Sequence, residues 1–104
     1  MEQVNEKSTC YLTVTFKDKS GAAAVPSTAT YRVDDLGSGS QIVGDTSLTV
    51  ASSIEITLGQ SVNTMIASGL ASETRRVTVK AVYGAGDTVN AQYDYAVVNL
   101  SGVT

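Results

Sequence analysis

The chain has 104 residues, 42% of them hydrophobic, and a formal charge of −3. This fits one domain with a single core and excludes the low-hydrophobicity, high-charge profile of a disordered segment. It holds no histidine and one cysteine, which removes the commonest general base, most catalytic triads, most zinc sites and any internal disulfide.

Residues 1–7 are polar and charged and read as a flexible N-terminal arm, with 8–104 as a single β-sandwich domain. The stretch Met1 to Ser8 lacks the apolar run of a secretory signal, and nothing elsewhere approaches the ~20 apolar residues of a membrane span. Folding in a cytoplasm, with no membrane partner, is therefore expected. The first strand spans 8–17: Cys10, Leu12, Val14 and Phe16 share one parity, Tyr11, Thr13 and Thr15 the other. This period of two marks a sheet buried on one face. Cys10 has the inward parity and reads as a buried, inert thiol. Tyr11 points outward. The charged turn 17–21 follows, and Ala22–Val25 is too short for a helix ahead of Pro26.

A strand is predicted near 27–34, where Ala29, Tyr31 and Val33 alternate. Asp34-Asp35-Leu36-Gly37-Ser38-Gly39-Ser40 is the clearest loop signal, and two short strands are expected at 40–44 and 46–50. Ile54, Ile56 and Leu58 mark a strand over 53–58, stopped by Gly59. Val62, Met65 and Ile66 lie at helical spacing and predict a single helical turn. The last two strands, 74–83 and 88–98, carry inward Val77, Val79, Ala81 and Tyr83, then Val89, Ala91, Tyr93, Tyr95 and Val97. Cross-strand partners must share parity. A five-residue loop closing Tyr83 on Val89 satisfies this. It sets Val79 opposite Tyr93 and Val77 opposite Tyr95, with the Tyr93 ring between the sheets.

About seven short strands at spacings of roughly 8–12 residues predict an all-β, two-sheet antiparallel sandwich. The Val-x-Val-x-Ala-x-Tyr run at 77–83, followed by Gly-Ala-Gly, resembles the penultimate strand and hairpin of fibronectin type III and immunoglobulin-like modules. The fold class expected is thus an immunoglobulin-like or fibronectin type III-like sandwich.

Motifs for chemistry are few. Asp34, Asp35 and Asp45 lack calcium-loop spacing and read as acids solvating turns. No phosphate-binding glycine loop or dinucleotide fingerprint is present. Lys17 or Lys80 with Asn90 and Glu55 supplies the residue types of a self-formed Lys–Asn crosslink, but Lys80 has outward parity and such a reaction needs a desolvated lysine. Arg75 and Arg76 read as a strand start paired with nearby acids. The seven basic residues are otherwise scattered, so no nucleic-acid partner is expected. No catalytic residue, cofactor or metal is assigned. Asp34, Asp35, Leu36, Ser38 and Asp87 are the candidate contacts, because sandwich loops cluster at the two ends.

Met1 to Phe16, the Thr30-Tyr-Arg-Val-Asp-Asp stretch, Ser53-Ile-Glu-Ile-Thr-Leu and Asn90 to Leu100 together resemble small proteins encoded in the structural-gene region of tailed bacteriophages. That resemblance implies a virion component of immunoglobulin-like fold, an accessory or decoration protein present in several copies. It would be assembled in the bacterial cytoplasm and bound to other virion structural proteins of head, neck or tail. The alternative is an adhesion module that binds host glycan or protein through its loops.

Overall fold

The computed structural model describes residues 2–18, 20–66, 69–84 and 86–100. Its elements are β1 (Glu2–Asn5), β2 (Cys10–Thr15), β3 (Thr28–Asp35), β4 (Gln41–Ser47), β5 (Ser53–Leu58), β6 (Ser72–Tyr83) and β7 (Asp87–Val98), with no helix among the described residues. Five strands form one sheet in the order β1-β7-β6-β3-β4, and β2 and β5 form a second. The chain is an all-β, immunoglobulin-like sandwich, antiparallel throughout except for the β1–β7 pair.

Alternation explains which faces meet. In the small sheet, Cys10 pairs with Leu58, Leu12 with Ile56 and Val14 with Ile54, so every apolar residue lies on one side. These face Ala29 and Val33 of β3, Val77, Val79 and Ala81 of β6, and Tyr95 and Val97 of β7, which together with Phe16, Ile56 and Leu58 form the buried core. Tyr11, on the other parity, is 64% exposed.

Four expectations are corrected. The opening is not a loose arm, because Glu2–Asn5 runs parallel to β7 with Glu2 opposite Tyr95 and Asn5 opposite Val98. Three of its four residues are polar, so no apolar pattern announces it; main-chain bonding to an open strand edge creates it. The two short strands expected at 40–44 and 46–50 are the single strand β4, whose Gly44-Asp45 is absorbed by register shifts against β3 between Tyr31 and Asp34. Val62 and Met65 pack on the core from a turn in which the Val62 and Asn63 amides bond back to the Gly59 carbonyl at 3.0 and 3.3 Å, one turn of helical hydrogen bonding and no longer helix.

The third correction concerns register. Parity is as expected, odd opposite odd, but the ladder is displaced by two: Tyr83 pairs with Asp87, Val79 with Ala91, Val77 with Tyr93 and Arg75 with Tyr95. The loop therefore has three residues. Parity permits three or five equally. The choice falls to the glycines, since Gly84 and Gly86 sit at φ +46° and +105°, backbone conformations costly for other residues and typical of short hairpin loops.

The displacement alone does not explain Tyr93, which is 37% exposed where a buried ring was expected. Its side of the sheet is the inner one, but the opposing sheet is only two strands wide and does not cover the first half of β7. Asp87 to Tyr93 are all exposed, whereas Tyr95, Ala96 and Val97 are buried.

Candidate interaction surfaces

The charged residues at the start of β6 follow the same inward parity as Val77. Glu73 and Arg75 consequently point between the sheets, and Arg75 is 0% exposed. All three of its guanidinium nitrogens donate: Nε to Asp35 Oδ1 at 3.0 Å, Nη1 to the Val62 carbonyl at 2.7 Å, and Nη2 to the Thr64 carbonyl at 3.0 Å and to Glu73 Oε1. Glu73 in turn accepts the Ile66 amide. One cation thus ties the 59–66 turn to β3 and β6. A buried charge is tolerated on these terms, with every nitrogen hydrogen-bonded and the counter-charges in contact.

A second polar centre lies on the other side of that turn. Asn63 is 0% exposed. Its Nδ2 donates to the carbonyls of Ser8 at 2.8 Å and Leu58 at 3.3 Å and to Cys10 Sγ at 3.5 Å, and its Oδ1 accepts the Tyr95 hydroxyl at 2.8 Å. The Asn63 carbonyl also accepts the Lys7 amide at 2.9 Å. Lys7 holds φ +56° there, where the chain crosses from one sheet to the other. Burial pushes the Cys10 thiol above its ordinary range, with the Asn63 bond opposing and the Glu2 charge adding to it. Cys10 is half-buried rather than buried as its parity predicted, and its thiolate is scarce at neutral pH.

These two centres relocate the candidate contacts. Asp35 belongs to the last position of β3 and is 2% exposed, so it is a structural anchor and offers nothing to a partner. Its Oδ2 accepts the Ser38 hydroxyl at 2.7 Å and the Ser38 amide at 2.9 Å, which folds the 36–40 loop back on itself. Asp34 lies in β3 as well and forms a two-pronged pair with Arg32 at 2.8–2.9 Å. Arg76 and Asp94 repeat that arrangement on the outer face at 2.8–3.0 Å, so Arg75 and Arg76 are paired as the reading of the β6 start anticipated, and Arg32 is paired as well. Leu36 and Ser38 remain exposed on the loop. Asp87 is exposed too, but it sits at the far end of β6 and β7, roughly 30 Å away at about 3.4 Å per residue. The five candidates do not converge.

Sequence reading missed the feature that stands beside Leu36. A cleft of about 590 Å³ opens over Asp35 and Glu73 and is bounded by Leu36, Ile66, Leu70 and Thr74. Its aliphatic side chains are exposed by 42%, 47% and 50% for Leu36, Ile66 and Leu70. Nothing in spacing joins Leu36, from the β3–β4 connection, to Ile66 and Leu70, from the β5–β6 connection. Inward parity of Glu73 and Arg75 was the available clue that a charged floor lay at this end.

Acid stability follows from the floor. Burial pushes the Asp35 carboxyl up, but the Ser38 bonds and Arg75 outweigh it and hold the group below its usual range. A carboxylate depressed in the folded state contributes stability that is present above the unfolded value of about 3.9 and lost as pH falls through the folded value. Urea melts from neutral to strongly acid pH are expected to show a steep loss below about pH 4, and Asp35→Asn to flatten part of it. An unchanged acid limb in that variant would assign the loss to other groups.

Among the described residues no three potential metal ligands cluster, and no helix is long and apolar enough to cross a membrane. No family model matches the chain, no curated protein is detectably similar to it, and no solved structure matches it.

Proposed function

We propose that the chain is a non-enzymatic structural component of a tailed-phage virion, an accessory or decoration protein assembled in the host cytoplasm and bound to head, neck or tail proteins. The observation that carries the binding part of this reading is the cleft rimmed by Leu36, Ile66 and Leu70. Its ionisable floor is spent on holding the fold together, since Arg75, Asp35 and Glu73 are engaged with one another and with main-chain groups. What it presents to the outside is aliphatic surface around a concavity, which suits an apolar side chain of another protein better than a reacting substrate. The assignment to a virion is supported by the resemblance of Met1–Phe16, residues 30–35, 53–58 and 90–100 to phage structural-region proteins.

Mass spectrometry of purified virions should find the chain in several copies per particle. Leu36→Asp combined with Leu70→Asp should remove it from particles while the melting temperature of the isolated protein stays within a few degrees. Virions that lack the chain altogether would overturn the reading. Particle association that survives the double substitution would move the contact away from the cleft.

A further inference from the structure

The longest strands of the fold leave an unusual stretch open. β6 shields one edge of β7 along its whole length, but on the other edge β1 begins only at Tyr95. No strand among the described residues pairs with that edge from Asp87 to Asp94. Exposed edges are normally blunted by charge, proline or a bulge. β4, at the opposite side of the sheet, has register shifts and Gly44-Asp45. The β7 stretch Thr88-Val-Asn-Ala-Gln-Tyr93 has no charge and no proline, and its ladder with β6 is unbroken. Val89, Ala91 and Tyr93 lie bare on its inner side, along shallow apolar grooves of about 250 and 230 Å³ that separate β7 from β2.

We propose that this edge pairs antiparallel with the same edge of a second copy, about a two-fold axis at Ala91. The sequence is self-complementary in that register alone. With Ala91 opposite Ala91 of the second copy, Val89 meets Tyr93 and Asn90 meets Gln92, so an aromatic ring packs on a β-branched side chain and two amides face each other. Thr88 meets Asp94, whose charge is already satisfied by Arg76. Within 88–94 no two like charges are opposed, and the ladder ends at Thr88 because Asp87 would fall opposite Tyr95, where Glu2 of the second copy is already paired. A slip of one residue sets apolar against polar positions; a slip of two in one direction places Asp87 against Tyr93, and in the other collides with β1. The pairing thus occupies the open edge from 88 to 94 and stops where β1 starts. It joins the large sheets of both copies into one of ten strands, with both small sheets on the same side and the bare Val89, Ala91 and Tyr93 side chains between them. A closed, isologous contact of this kind gives a dimer and no fibre. The inference is independent of what the cleft binds.

Residue 91 is where the two-fold register makes a distinctive demand, because it alone faces itself. Sedimentation of the full chain up to millimolar concentration is expected to show a reversible monomer–dimer equilibrium. Ala91→Lys and Ala91→Glu should each sediment as monomers, since like charges meet at the axis, and an equimolar mixture of the two should regain the dimer. In the unaltered protein, amide exchange at residues 88–94 should slow as concentration rises, a readout that does not depend on any variant folding. A chain that stays monomeric at millimolar concentration overturns the proposal. So does a dimer indifferent to the charge at position 91, or exchange at 88–94 that ignores concentration.

Discussion

Arg75→Met is expected to remove about 3–5 kcal/mol of stability, the range for taking one partner from a buried ion cluster. That is a large share of the roughly 5–15 kcal/mol available to a domain of this size. The methionine fills much the same volume, so the loss comes from charge. Asp35 and Glu73, whose side chains are each 3% exposed, would face one another without a cation, and the carbonyls of Val62 and Thr64 would lose their donors. The pH dependence should weaken as well. Without Arg75, the Ser38 bonds alone oppose burial at the Asp35 carboxyl, so less stability is lost as pH falls than in the unaltered protein. Urea melts at neutral and mildly acid pH read both effects. Adding Asp35→Asn and Glu73→Gln to Arg75→Met should recover part of the loss at neutral pH. A loss under about 1 kcal/mol, with an unchanged pH profile, would mean that water reaches the cluster and screens it.

Tyr95→Ala should cost about 3–5 kcal/mol, as for other large aromatics deleted from a packed core. Tyr93→Ala, two residues away on the same strand and the same face, should cost roughly 1 kcal/mol or less, and Tyr11→Ala roughly 0.5 kcal/mol or less, as for surface positions. The exposures that separate them are 1%, 37% and 64%. Tyr95→Phe isolates the hydroxyl: it keeps the ring and leaves Asn63 Oδ1 without its donor, at about 1–3 kcal/mol. Burial also pushes the Tyr95 hydroxyl well above its ordinary range, with the nearby Cys10 adding and Arg75 opposing. Absorbance titration at alkaline pH should therefore show Tyr95 ionising only on unfolding. Equal losses for Tyr93→Ala and Tyr95→Ala would show that the small sheet reaches over the whole of β7.

What could be read along the chain was local. Faces of β2, β5 and β6 followed from strict alternation, because side chains project on opposite sides whatever the strand packs against. The parity of the β6–β7 ladder followed likewise, as did Tyr11 in solvent. The same parity put Arg75 in line with Val77, and Asp35 in line with Val33. It stopped short of burial, because an arginine at a strand start is ordinarily solvated and only its partners make an interior position tolerable. Those partners come from residues 35, 62, 64 and 73, and their convergence is a property of the folded chain.

Alternation along the chain was enough to give the class of structure and the inner and outer side of each long strand. How much of each inner side is covered was settled by the way the two sheets meet. A period of two reports direction, while burial depends on how wide the facing sheet is, and a two-stranded sheet cannot cover a five-stranded one. Tyr93 and Tyr95 have the same parity and opposite fates for that reason. The exact register, the strand made from a polar opening and the meeting of Asn63 with Tyr95 were likewise decided by contacts between residues distant in the chain. Main-chain bonding to an open edge and the filling of a shared interior select these, and neither leaves a mark in local sequence pattern.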